Sequence, residues 1–346
     1  MLSFESDYII GAHEAVLSAL VRTNGEVLSG YGNDIHTKAA KELIKAACGA
    51  PKSEVFFLTG GTQANQVVIS TMLKPFEGVI SAKTGHIALH EVGAIEFTGH
   101  KVIELEQSEG KLCARDVRAY LESFWADENN AMMVVPKMIY ISHPTEYGTL
   151  YSLDELTSLR EICDEYGLRL FLDGARLGYG LMSRHTDVSL SDVARLCDVF
   201  YIGGTKVGAL FGEAVVIRSA ALNRDFRYMI KQRGGMLAKG RLLGIQFDTL
   251  FTDDLYTKIA RNANDMAYQI RDIFVSNGYP LLFDSPTNQQ YPIISDEELA
   301  ILGKNFGYEY WERVDETHSG VRFCGSWATT QEQVDALREA VNALKK

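Results

Sequence analysis

Three short segments carry side chains that could do chemistry together. Tyr201-Ile202-Gly203-Gly204-Thr205-Lys206 sets a lysine just past an apolar run and among small residues. Desolvation there disfavours the ammonium form, lowers the pKa and makes the amine a better nucleophile toward an aldehyde. By type alone, the same lysine would be a solvated surface charge. Phe171-Leu172-Asp173-Gly174-Ala175-Arg176 ends an apolar run on a carboxylate. A carboxylate beside a low-dielectric core requires a cation or hydrogen-bond donors. Arg176 could be that cation. So could a protonated pyridine nitrogen, whose charge would make its ring an electron sink. Thr59-Gly60-Gly61-Thr62-Gln63-Ala64-Asn65 offers backbone N–H groups to an anion at a helix start, with the Thr62 hydroxyl beside them. No Gly-Lys-Ser/Thr follows, so it is not a Walker A loop, and a plain tight connection is the bland alternative.

Each segment alone is weak. Together they suit the three ends of one small molecule: an anion turn for a phosphate, Asp173 for a ring nitrogen, and Lys206 for an aldehyde carbon. Pyridoxal 5′-phosphate has those three ends and is the expected cofactor, carried as a Schiff base on Lys206.

These residues need a scaffold that brings strand ends together. EVFFL, GVISA, KVIEL, KMIYIS, RLFLD, DVFYIGG and EAVVIR read as strands, separated by helical patterns. Such alternation predicts an α/β fold with a mainly parallel central sheet covered by helices on both faces. Open α/β sheets bind ligands at the carboxyl ends of their strands, where all three segments fall. SLDELTSLREICDEYG reads as a helix capped by Ser152 with Glu155 three residues on, and stopped by Gly167. After about Arg241 the texture changes to a long helix, strand-like YPLLF and GVRFCG, and a final helix. The expected division is a large domain over 1–245, including the N-terminal arm, and a smaller α+β domain over 246–346.

The 346 residues carry a net charge of −11, which excludes the basic footprint of a nucleic-acid binder. The five cysteines are scattered without a CxxC pair, so neither a disulfide scaffold nor a zinc site is expected. The N-terminus does not read as a secretory signal, and no apolar run is long enough to cross a membrane; the most apolar window, VGALFGEAVVI, is interrupted by Glu213. A cytoplasmic protein is expected. His86 and His90 stand four apart with Glu91 adjacent. That spacing alone is a weak metal signal, and no metal is expected.

Over nearly its whole length the chain resembles the fold type I pyridoxal-phosphate enzymes, and within them the low-specificity L-threonine aldolase and β-eliminating lyase family. Beyond the three segments, the matching motifs are Glu5-Ser6-Asp7, Ser29-Gly30-Tyr31-Gly32-Asn33-Asp34, GHIALHEVGA, GGMLAKGR and SGVRFCG. The resemblance implies that Gly60, Gly61 and Thr62 bind the phosphate, assisted by Lys239, and that His86 stacks on the cofactor ring. It pairs Asp173 with the ring nitrogen and sets Arg176 near cofactor and substrate carboxylate. Arg322 and Ser6 would hold that carboxylate, and Tyr31 would lie near the active site at a subunit interface. In HPTEYGT, Glu146 stands where some members carry a histidine that handles the substrate hydroxyl. The implied reaction is retro-aldol cleavage of L-threonine, L-allo-threonine and similar β-hydroxy-α-amino acids to glycine and an aldehyde. His86, Glu146 and an ordered water are the candidate bases, with His86 favoured. A phenylserine-type aldolase or a β-eliminating lyase is the alternative, and a non-catalytic binding protein with the same fold is the competing class. Partners are expected to be a small amino-acid substrate and further copies of the chain, as a homodimer or homotetramer.

Overall fold

The protein is described by a computed structural model covering residues 1–222 and 225–345. A seven-stranded sheet runs in the order Glu54–Leu58, Glu213–Ile217, Val199–Gly203, Arg169–Asp173, Val135–Ser142, Glu77–Ala82 and Val102–Leu105. Glu213–Ile217 is antiparallel to both its neighbours, and every other pairing is parallel. The strands Glu77–Ala82, Val199–Gly203 and Glu213–Ile217 are buried along their full lengths. That is why they read as continuous apolar runs rather than alternating ones. Successive side chains of one strand still serve opposite faces. Leu170 and Leu172 enter the core on one side of the sheet, and Phe171 enters the core on the other.

The helix Leu153–Tyr166 forms as its sequence dictates, with a reciprocal Ser152–Glu155 capping box and Gly167 at φ 64° ending it. A third core joins Phe4, Ile270, Phe274, Phe323, Val334 and Leu337. It lies under a small antiparallel sheet in which His318–Cys324 pairs with Ile293–Ser295 and Glu309–Arg313. The helix Leu255–Ser276 serves both bodies. Tyr256, Ile259, Ala260 and Ala263 pack into one core of the large sheet, and Ile270, Ile273 and Phe274 into the third core.

Two elements depart from expectation. YPLLF is not a strand, and only an isolated bridge joins Leu281 to Pro292. Glu309–Arg313 is a strand although its sequence, EYWER, is mostly charged. It pairs on one side only, so most of its side chains face water. No helix among the described residues is long and apolar enough to cross a membrane.

The sheet order decides where the chemistry can lie. Four adjacent parallel strands, ending at Gly203, Asp173, Ser142 and Ala82, each deliver one candidate at or just beyond their carboxyl ends. In order these are Lys206, Asp173, Glu146 and His86.

Candidate active site

A cavity of about 280 Å³ opens where those strand ends meet the small sheet. Lys206, His86, Glu146 and Arg176 line it from the large sheet, and Arg322 and Trp311 from the small one. Among the described residues none hydrogen-bonds or ion-pairs with the Lys206 amine, which lies 5.8 Å from the centre of the Tyr8 ring. Burial and the positive charge of Arg176 hold this lysine below the ordinary range, which favours a nucleophilic amine. The loop beneath it is fastened by Glu213. The Gly204 N–H and the Thr205 hydroxyl donate to the two Glu213 oxygens at 3.1 and 2.8 Å. Burial pushes this carboxyl up to about 8. In the sequence Glu213 marks only a break in an apolar window; in the structure it anchors the lysine loop.

Asp173 is buried at its strand end and, among the described residues, accepts only neutral donors. Tyr140 Oη donates at 2.5 Å, Asn65 Nδ2 at 3.2 Å and the Ala175 N–H at 3.0 Å. Arg176, the cation considered from sequence, turns away from it. Its Nε and Nη2 donate to the two Asp7 oxygens at 2.7 and 3.0 Å. Burial alone would raise Asp7, but Arg176, with Lys206 adding to it, holds the carboxyl at about 2. Asp7 is the residue sequence reasoning missed in the Glu5-Ser6-Asp7 segment. Ser6, which that reading singled out, is buried, with Oγ 3.5 Å from Asp7 Oδ1, and does not line the cavity.

His86 starts a short helix after the strand Glu77–Ala82. Its Nδ1 lies 2.9 Å from Oε1 of Glu91, whose side chain is wholly buried. Asn65 Nδ2 also donates to that Glu91 oxygen, at 2.7 Å. One amide therefore ties Glu91 to Asp173. Burial pulls the His86 pKa down, but the Glu91 hydrogen bond and the Asp173 charge outweigh it and hold it above the usual range. Glu146 Oε1 accepts the His86 backbone N–H at 2.9 Å and the Ser142 hydroxyl at 2.7 Å. Burial keeps the Glu146 carboxyl raised despite these donors.

Arg322 is buried at the cavity's opposite wall. Its Nη1 donates to Gln289 at 3.0 Å, and its Nη2 donates to the Glu5 carbonyl at 3.0 Å and to the Glu309 carboxylate. The glycine turn starts the twelve-residue helix Gly61–Met72. A side chain at Gly61 would come within 2.9 Å of Tyr201 Oη, so only glycine lets the helix start sit this close to the sheet. Thr62 is exposed. Lys239 and Tyr31, like Ser6, do not line this cavity. Lys239 is exposed in the loop before the helix Arg241–Phe251. Tyr31, at φ 59°, is exposed and lies instead against Lys231, whose Nζ is 4.9 Å from its ring centre.

The whole arrangement has relatives. Residues 4–323 match the β-eliminating lyase family. The low-specificity L-threonine aldolase of Pseudomonas sp. (strain NCIMB 10558) is 29% identical, over 99% of this chain and 97% of its own. That of Pseudomonas aeruginosa is 28% identical, over 96% and 95%. The solved structure of Leishmania major threonine aldolase superposes with a TM-score of 0.97 at 40% identity, covering all of both chains. A histidinol-phosphate aminotransferase of Clostridium acetobutylicum, at 12% identity and a TM-score of 0.74, shares the fold alone. The fold is that of the fold type I pyridoxal-phosphate enzymes, and the chain belongs to the β-eliminating lyase family.

Proposed function

We propose that this protein cleaves L-threonine, L-allo-threonine and similar β-hydroxy-α-amino acids to glycine and an aldehyde. The observation that carries this reading is the Lys206 amine, unpartnered among the described residues and set among His86, Glu146, Arg176 and Arg322 in one cavity. The named threonine aldolases among its relatives support the substrate class.

The family indicates pyridoxal 5′-phosphate, and the residues fit it. Asp173 is a buried carboxylate held by neutral donors, which suits a cationic ring nitrogen as its further partner. Lys206 has a free, pKa-lowered amine. The first-turn N–H groups at Gly61 and Thr62 suit an anion, and a side chain at Gly60 would meet nothing within 4 Å. When bound, the cofactor supplies an aldehyde for Lys206 and a ring that accepts the electron pair left at the substrate Cα.

The chain's own residues do the rest. Arg322 binds the substrate carboxylate with a planar, bidentate guanidinium and so fixes which bond at Cα can break. Arg176, neutralised by Asp7, adds a rigid wall rather than a free cation. His86 accepts the β-hydroxyl proton, with Glu91 holding the ring in place and stabilising its protonated form. Glu146 fixes the His86 backbone. Lys206 would deliver the proton that Cα gains, matched by the one His86 takes from the hydroxyl, and its amine would then be free to hold the cofactor again.

Trp311 lines the cavity and packs on Tyr291 with ring centres 4.9 Å apart. That apolar wall favours a second reading, preference for an aromatic β-substituent as in phenylserine. The exposed apolar residues Tyr8, Ile9, Ile10, Tyr31 and Ile35 support association of two or more copies. In this reading Tyr31 and Lys239 serve a neighbouring subunit's site. Free cysteines throughout suit the cytoplasm. The division proposed is a large domain over 1–245 and a small one over 246–346, with the helix Leu255–Ser276 of the small one packing into cores of both.

The test is product analysis. Purified, cofactor-loaded protein is incubated separately with L-threonine, L-allo-threonine and phenylserine. Glycine with an equal amount of aldehyde establishes the aldolase. 2-Oxobutanoate and ammonia in their place would make it a β-eliminating enzyme.

A further inference from the structure

Glu309 and Arg322 are direct cross-strand neighbours in the antiparallel pair of Glu309–Arg313 with His318–Cys324. The register places the Glu309 carboxylate on Arg322 Nη2. The two partners differ in surroundings. The Arg322 side chain is 7% exposed, while that of Glu309 is 45% exposed and lines the cavity. Arg322 Nε is buried with no acceptor among the described residues. The guanidinium is therefore satisfied along Nη1 and Nη2 but not at Nε.

A buried guanidinium needs a counter-charge, because leaving it bare in a low-dielectric site is strongly destabilising. In the free protein Glu309 is the one carboxylate paired with it among the described residues. An amino-acid carboxylate offers the same chemistry with two oxygens, which could take Nη2 and the orphaned Nε together. Both carboxylates cannot occupy Nη2 in full. Glu309, already half in water, loses little by swinging out, whereas Arg322 cannot follow it.

We propose that Glu309 is an internal competitor for the substrate carboxylate. It occupies Arg322 between turnovers, yields when the amino acid arrives, and returns to help expel glycine. The inference rests on the reading of Arg322 as the carboxylate anchor. Its consequence is an affinity set deliberately below what Arg322 alone would give, since only the fraction of molecules with Glu309 displaced can bind.

The experiment compares the cofactor-loaded wild type with Glu309→Gln, Glu309→Asp and Arg322→Gln. KM for L-threonine is measured with kcat, and glycine affinity is measured separately by calorimetry. Glu309→Gln should lower KM and tighten glycine about fivefold or more, raising kcat/KM. Glu309→Asp, a methylene short, should fall between it and the wild type. Acetate should raise the melting temperature of Glu309→Gln more than that of the wild type, because it fills the vacated guanidinium. Arg322→Gln should weaken glycine binding in every background. A raised KM or weakened glycine binding in Glu309→Gln would show that Glu309 merely orients Arg322, and an unchanged value would remove it from binding; either overturns the inference. Unaltered glycine binding in Arg322→Gln would instead overturn the anchor on which it rests.

Discussion

Nδ1 of His86 lies 2.9 Å from Oε1 of Glu91, and the same oxygen accepts from Asn65, which also donates to Asp173. The candidate base and the candidate ring-nitrogen partner therefore belong to one buried polar chain. Buried networks of this kind fix orientation as well as charge. Glu91 holds His86 as an acidic partner holds a catalytic histidine elsewhere, by choosing its ring orientation and stabilising its cation.

Replacing Glu91 by Gln should lower the His86 pKa. The wild-type histidine is held above its usual range by Glu91 and Asp173 acting against burial. A base must be unprotonated, so activity falls as pH drops through the His86 pKa. The acid limb of kcat/KM should move to lower pH in Glu91→Gln, with kcat reduced about tenfold or more by loss of ring orientation. An unmoved limb would mean that another group titrates there.

His86 and Glu146 can be separated as candidate bases. Glu146 Oε1 accepts two hydrogen bonds, which a glutamine oxygen can also accept. Glu146→Gln should retain most of its kcat, whereas His86→Ala should lose about a hundredfold or more while still binding cofactor. The reverse order of effects would make Glu146 the base.

The Asp7–Arg176 pair should show in acid stability. Asp7 is held at about 2, below its ordinary value of 3.8, by Arg176 and Lys206 against the effect of burial. A depressed carboxylate contributes stability fully above its unfolded pKa, and that contribution, about 2 kcal/mol, is lost as pH falls from near 4 toward 2. Asp7→Asn should flatten the denaturation free energy over that window. Arg176→Ala should cost about 3–5 kcal/mol at neutral pH, because it strands a buried charge. A neutral-pH loss below 1 kcal/mol would contradict the pairing.

Much of the scaffold was legible in the sequence for a physical reason. A strand buried on both faces must be apolar throughout, and a ligand-bearing strand end then stands out as the first polar residue after it. Asp173 is such a residue, and Lys206 follows its own strand after only Gly204 and Thr205. The partners were not legible, because proximity comes from chain topology. Asp7 meets Arg176 across 169 positions, and Asn65 meets Asp173 across 108. Arg176 beside Asp173 in sequence suggested a pair that the turn geometry does not make. Glu309–Arg313 hid its strand character because its exposed edge carries charge, while YPLLF looked like a strand but carries Pro280, which has no N–H for a ladder.

Asp173 carries the electronic part of the account. Asp173→Asn keeps the shape but removes the negative charge that a cationic ring nitrogen requires. It should lower kcat about a hundredfold or more, with a much smaller change in KM. A kcat within twofold of wild type would mean that the buried carboxylate serves only Tyr140 and Asn65.

The measurement closest to the central claim asks which side chain holds the cofactor. The protein is loaded with pyridoxal 5′-phosphate, reduced with borohydride, digested and analysed by peptide mass. The account predicts the added mass on the peptide containing Lys206, and neither added mass nor turnover in Lys206→Ala. Label on a different lysine, or an active and labelled Lys206→Ala, would contradict it.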